Sequence, residues 1–264
     1  MIEVKGLIKK FGDKEVLKGI DAVFEEGKSN MIIGSSGSGK TVFMKCIVGL
    51  FAPESGHILF DGRDYVAMKY GQKKKLHQEI GMLFQNAALF DSMNVEENVA
   101  FPLLLHTKMT KAEISRRVDF CLERVNLPGE NKKNTDEISG GMRKRVGIAR
   151  AIALEPKYLF CDEPNSGLDP LTSQVIDKLI KEITIDLKTT SIINTHDMNS
   201  VMEYGDHILY LHQGLKQWEG SPDQIRNTND ARLREFIYAA QFTKDTNPVI
   251  NQQSAVNSTD GSGM

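Results

Sequence analysis

The sequence predicts an α/β fold built on a parallel sheet covered on both faces, and three observations carry that prediction. Near-continuous apolar runs at Met31–Ile33, Gly81–Phe84, Tyr158–Cys161 and Ser191–Ile193 have the length and apolarity of strands buried on both sides. Segments with apolar residues at helical spacing alternate with them. Each run also ends in chemically distinctive residues, the first in a glycine-rich loop and the others in Gln85, Asp162-Glu163 and Thr195-His196. Ligands of open α/β sheets sit outside the carboxyl ends of the strands. If these four strands are neighbours, Lys40, Gln85, Asp162, Glu163 and His196 gather on one edge.

A chain of 264 residues suffices for one large α/β domain, or for a core with a subdomain. The formal net charge of −2 excludes the basic footprint of a nucleic-acid binder, so no nucleic-acid partner is expected. Cys46, Cys121 and Cys161 are far apart and form no C-x-x-C, as expected of buried apolar thiols in a reducing compartment. No apolar run approaches the ~20 residues needed to cross a bilayer, and no signal-peptide pattern opens the sequence. The expectation is a soluble protein whose membrane role comes through partners.

Residues 1–29 alternate polar and apolar, which predicts short antiparallel strands bounded by turns at Phe11-Gly12-Asp13 and Glu26-Gly27. A helix is expected at Val42–Leu50, and a further strand over 56–64 carries an Asp-Gly turn. Lys73-Lys74-Lys75 reads as a solvated helix face. From Asn94 the pattern turns helical through Val95, Val99 and Leu103–Leu105. A second helix is expected over Lys111–Val125, with Thr110 and Glu113 as a capping box. Residues 86–155 therefore look like a helical insert between strand-rich parts of a core at 1–85 and 156–242. Beyond the insert the pattern predicts a helix at Leu171–Leu187 and a hairpin around Gln213-Gly214. A short amphipathic helix is expected at Ala231–Phe242, followed by a disordered tail over 243–264.

The loop after the first run reads Gly34-Ser35-Ser36-Gly37-Ser38-Gly39-Lys40-Thr41, the G-x-x-x-x-G-K-[ST] pattern between a strand and a helix. Its glycines let successive N–H groups turn inward around a polyphosphate, and the following helix adds a positive N-terminus. Lys40 would reach the β- and γ-phosphates, and Thr41 would be a ligand of Mg²⁺. Asp162 suits Mg²⁺ through its water shell, and Glu163 suits general-base attack by water. Gln85 would ligate Mg²⁺ or orient water; His196 would donate to the γ-phosphate or hold the water. Ser139-Gly140-Gly141 opens a helix expected at Arg143–Leu154, a second anion site by the same argument. One chain does not need two such sites for one triphosphate, which points to a neighbour's nucleotide.

With these motifs in order over about residues 1–240, the sequence resembles the nucleotide-binding subunits of ATP-binding cassette (ABC) transporters. The resemblance implies an α/β P-loop NTPase (RecA-like) core with an antiparallel β subdomain and an inserted helical subdomain. It makes Gln85 the Q-loop residue, Ser139-Gly140-Gly141 the signature, Ser166-Gly167-Leu168-Asp169 the D-loop and His196 the switch histidine. Glu163 and His196 would be catalytic. Nucleotide contacts would fall on Phe11, Gly34, Ser35, Ser36, Gly37, Ser38, Gly39, Lys40, Thr41, Val42, Gln85, Ser139, Gly140, Gly141 and Asp162, with Thr41 and Gln85 at the metal. Phe11 would stack on adenine, although unaided it reads as a core or turn aromatic.

The resemblance further implies ATP and Mg²⁺ as cofactors and a head-to-tail homodimer. It also implies a membrane subunit seated near Gln85–Val99, where Met82, Phe84, Phe90 and Met93 would furnish a groove; core packing serves Met82 and Phe84 equally well. Met142 stands where most members of the family carry glutamine. That residue, the stretches 83–95, 97–103 and 162–170, and the tail segment Asn229–Phe236 are similar to the ATPases of Mla-type, MCE-associated phospholipid transporters. This implies a peripheral place on the cytoplasmic face of a bacterial inner membrane. The expected partners are an integral-membrane permease, an MCE lipid-binding protein and a small STAS-domain protein. The helix at Ala231–Phe242 would pack on the partner protomer or on its own domain.

Overall fold

The structure, a computed structural model, describes residues 1–245. Strands β1 (Ile2–Phe11) and β2 (Lys14–Phe24) pair antiparallel. They are 10 and 11 residues long rather than short, because bulges at Val4/Leu7 and Lys9/Lys10 carry the ladder past the places where the alternation lapses. Strand β3 (Ser29–Ile33) crosses to a second sheet and feeds helix α1 (Lys40–Ile47). Strands β4 (Ser55–Phe60) and β5 (Arg63–Asp64), joined through Asp61-Gly62, complete a four-stranded antiparallel sheet of order β2-β1-β4-β5.

Helix α2 (Tyr70–His77) leads to β6 (Ile80–Leu83), after which the chain is helical through α3 (Val95–His106), α4 (Lys111–Arg124) and α5 (Gly140–Ile152). The starts of α3 and α4 are fixed by local chemistry. Asn94 accepts from the Glu97 amide while Glu97 accepts from that of Asn94, both at 2.9 Å, and Thr110 with Glu113 closes the expected capping box. Strand β7 (Tyr158–Asp162), helix α6 (Pro170–Asp186), strand β8 (Thr190–Asn194) and helix α7 (Met198–Tyr204) follow. The hairpin of β9 (His207–His212) and β10 (Leu215–Gly220) turns at Gln213-Gly214, before helices α8 (Pro222–Arg226) and α9 (Ala231–Asp245). Because α9 continues to Asp245, the tail expected from 243 begins no earlier than 246, and the remainder of that expectation lies outside the described residues.

The six-stranded sheet has the order β10-β9-β3-β8-β7-β6, parallel except for the edge strand β10. Strands β3, β7 and β8 are buried along their whole length, and successive side chains go to different cores. Met31, Ile33, Leu159 and Cys161 join an apolar cluster shared with the helical insert. Ile32, Tyr158 and Phe160 join a second cluster beneath the antiparallel sheet. The parallel register puts the ends of β3, β6, β7 and β8 along one edge, as the sequence predicts.

Candidate nucleotide site

The loop after β3 wraps around its own lysine. Buried Lys40 Nζ donates to the carbonyls of Gly34 at 2.6 Å and Ser35 at 3.4 Å, and lies 3.8 Å from Glu163 Oε1. Gly34 has φ +151°, and a Cβ there would stand 2.3 Å from the Leu211 carbonyl oxygen, so the close approach of loop and β9 requires glycine. The β9–β10 turn braces the loop: Gly214 N donates to Ser38 O at 3.0 Å, and Lys18 N donates to Gly214 O at 2.9 Å. Helix α1 starts at Lys40, two residues before the expected Val42, which sets Lys40 and Thr41 in its first turn. Burial depresses the Lys40 pKa, against the opposing pull of Glu163 and Asp162.

Buried Asp162 accepts from Thr41 Oγ1 at 3.2 Å and from Asn194 Nδ2 at 2.8 Å, so the ends of β7 and β8 and the start of α1 converge on one carboxylate. Glu163 has φ +49°, a left-handed conformation costly for a side chain with a Cβ. Its N–H donates to Asn194 O at 3.0 Å, and its carboxylate meets His196 Nδ1 at 2.7 Å. That hydrogen bond raises the His196 pKa, outweighing partial burial. Gln85 Nε2 donates to Ser166 Oγ at 3.2 Å, tying the loop after β6 to the turn after β7. Lys144, buried within α5, donates to the Gln85 carbonyl and reaches that of Glu163 at 3.4 Å. Burial depresses its pKa.

These groups border a cleft of about 820 Å³ lined by Ser35 through Val42 with Gln85, Glu163 and His196. Gly34 lies behind the loop, and Asp162 lies beneath Thr41. The cleft also takes walls the sequence reading missed, from Lys14, Val16 and Lys18 on β2 and from Gln213-Gly214. No motif marks the β2 residues; only the bracing of the loop by the hairpin brings them in. The loop suits a polyphosphate: its lysine is buried, and the Ser38 hydroxyl is buried with no protein partner.

Phe11 and the run Ser139-Gly140-Gly141 lie apart from the cleft lining. Phe11, 45% exposed, packs edge-on against Phe51 with centroids 5.3 Å apart, under Lys9. Ser139 and Gly140 are exposed at the N-terminus of α5, which begins three residues earlier than expected. The Ser139 hydroxyl accepts from Met142 N at 3.2 Å, and the Met142 side chain packs against the apolar core. A second hollow of about 420 Å³ is lined by Met82, Phe84, Phe90, Phe101, Pro102 and Arg150, among others. Of the four expected groove residues only Met93 is missing from that lining. Among the described residues no helix is long and apolar enough to cross a membrane.

The family described as ABC transporter matches residues 17–166. The chain is 39% identical over 236 residues to the probable ribonucleotide transport ATP-binding protein mkl of Mycobacterium leprae, covering 89% of this chain and 68% of that one. It is 38% identical over 237 residues to the intermembrane phospholipid transport system ATP-binding protein MlaF of Haemophilus influenzae, covering 90% of each. Among solved structures it is similar to a dimeric post-hydrolysis state of the ATP-binding cassette MJ0796 bound to ADP and Pi. That likeness has a TM-score of 0.77 at 30% identity, over 84% of this chain and 99% of that one. The chain thus belongs to the ABC transporter family as an ATP-hydrolysing subunit.

Proposed function

We propose that this subunit drives a phospholipid transporter as a homodimer in which each ATP is held between the glycine-rich loop of one copy and Ser139-Gly140-Gly141 of the other. The observation that carries this reading is the split site. One chain assembles the phosphate loop, Asp162, Glu163 and His196 around a single cleft, yet leaves Ser139 and Gly140 exposed at a helix N-terminus outside it. Such an end favours anions, and a second copy can bring it to the first copy's γ-phosphate. The dimeric state of MJ0796 supports the pairing of two copies.

In this reading Glu163 accepts a proton from the attacking water and His196 holds the γ-phosphate or that water. Thr41, Gln85 and, through water, Asp162 would hold Mg²⁺, which would supply charge neutralisation at the β- and γ-phosphates. Phe11 would contribute a face to the base, and Val42 a wall of the cleft. ATP binding closes the pair and hydrolysis reopens it, which moves the membrane subunits between two states. The apolar hollow beside Met82, Phe84 and Phe90 suits docking by a permease. The phospholipid cargo rests on the likeness to MlaF, which spans nine-tenths of both chains. It brings with it an MCE lipid-binding protein, a small STAS-domain protein and a peripheral place on the cytoplasmic face of the inner membrane. A second reading, ribonucleotide transport, follows from the equally similar mkl. Copurification with the membrane subunits and identification of the bound cargo separates them: phospholipid supports the first reading, ribonucleotide the second.

A further inference from the structure

Glu163 holds a left-handed backbone at φ +49° immediately before Pro164, and such a conformation persists only where its surroundings fix it. The turn that follows is closed by Ser166 N to Glu163 O at 3.1 Å and Leu168 N to Asn165 O at 3.2 Å. Inside this turn the Asn165 side chain points at a carboxylate. Its Nδ2 lies 2.8 Å from both oxygens of Asp177 on α6 and 3.2 Å from Ser200 Oγ on α7. Ser200 Oγ in turn donates to Asp177 Oδ2 at 2.6 Å. Both Asp177 and Ser200 are buried.

Helix α7 is the one that follows His196, so the contacts close a ring. Glu163 leads through Asn165 to Asp177 and Ser200, along α7 to His196, and from His196 Nδ1 back to the Glu163 carboxylate at 2.7 Å. A buried carboxylate without a cationic partner is a poor device for stability, since an apolar residue of similar size avoids the desolvation. The titratable groups facing it are the carboxylate of Asp197, which caps α7, the Glu203 carboxylate and Tyr204 hydroxyl within α7, and the thiol of Cys161 on β7. Burial pushes the Asp177 pKa up to about 6.

We propose that Asp177 is a positioning residue for ATP hydrolysis, clamping Asn165 to Ser200 so that Glu163 and His196 stay in register. The inference rests on the reading of Glu163 and His196 as the hydrolytic pair. Its test is steady-state phosphate release from the full chain, with ATP affinity and denaturant unfolding measured on the same preparations. Asp177→Asn, Asp177→Ala and Ser200→Ala should each lower kcat by about 10- to 100-fold, with KM for ATP within about twofold. Because the three side chains act as one unit, Asp177→Asn combined with Asn165→Ala should be no slower than the slower single variant.

A pH series separates positioning from mere packing. The acid limb of kcat near pH 6 should flatten in Asp177→Asn. Folded variants with kcat within about twofold of the parent would overturn the clamp, as would activity lost only in proportion to folded protein. Ser200→Ala, which retains the carboxylate, keeps the test decisive if the Asp177 variants do not fold. Glu163→Gln is the control for the underlying reading. If it keeps turning over ATP, the hydrolytic assignment fails; if it is dead while the Asp177 variants match the parent, the clamp alone fails.

Discussion

Glu163 sits between the Lys40 ammonium and the His196 ring, just beyond the end of β7. Replacing it by glutamine keeps the shape and removes the proposed base. Phosphate release should fall by about 10²- to 10⁴-fold while ATP affinity changes little. Lys40→Ala removes a buried ammonium from the centre of the loop. Filter binding or calorimetry should show ATP affinity reduced by at least about tenfold, the loss expected of one charge-assisted contact. An unchanged affinity would contradict the phosphate-loop assignment. The gathering of Lys40, Asp162, Glu163 and His196 at one sheet edge was legible in the sequence because each follows an apolar run. Lys144 and Asp177 were not legible. Each lies mid-helix, where a charge reads as solvated, and only the packing of α5 under the Gln85 loop and of α6 against α7 buries them. Phe11 owes its base-stacking role to the family resemblance alone, and its neighbours in one chain are Phe51 and Lys9.

Helix ends and close approaches set the elements. The capping box at Thr110 was visible as a side-chain pattern, whereas α1 and α5 begin earlier than periodicity alone indicates, because Lys40-Thr41 and Gly140-Gly141 begin the helices without contributing apolar residues. Asn94→Ala should lower unfolding free energy by about 1 kcal/mol, the usual loss for an N-cap. Helix α5 lies close on β6 because position 147 is glycine: a Cβ there would stand 2.8 Å from Leu83 Cδ1 and 3.2 Å from Ala87 Cβ. Gly147→Val should therefore destabilise the insert by about 1–3 kcal/mol in denaturant titration. Because α5 also carries Lys144 to the Gln85 loop, the same substitution should lower kcat.

Across the whole molecule, pH acts through two groups whose raised pKa values both lower stability as pH rises, in different windows. The His196 pKa is raised by Glu163, so their contact stabilises the fold fully below the ordinary histidine value and fades as pH rises through the raised one. The stability difference between the parent and His196→Ala should shrink accordingly on going from about pH 6 to about pH 8. Asp177 is also raised, to about 6, but it is a carboxyl. The folded state holds its proton longer than the unfolded one, so its contribution to stability falls as pH rises from about 4 to about 6, by up to about 3 kcal/mol. Asp177→Asn should remove that fall. The alternation of buried strands with helices followed from where apolar runs alternate with helical spacing. The bulged length of β1 and β2 did not, since a bulge breaks the very alternation that marks a strand. At this scale the central claim is that one chain holds only part of its catalytic site. The most direct measurement is a structure of the full chain carrying Glu163→Gln, determined with ATP. The account predicts two copies head to tail, each γ-phosphate within hydrogen-bonding reach of Lys40 from one copy and Ser139 from the other. Nucleotide bound by the phosphate loop with Ser139 of the opposing copy far away would contradict it.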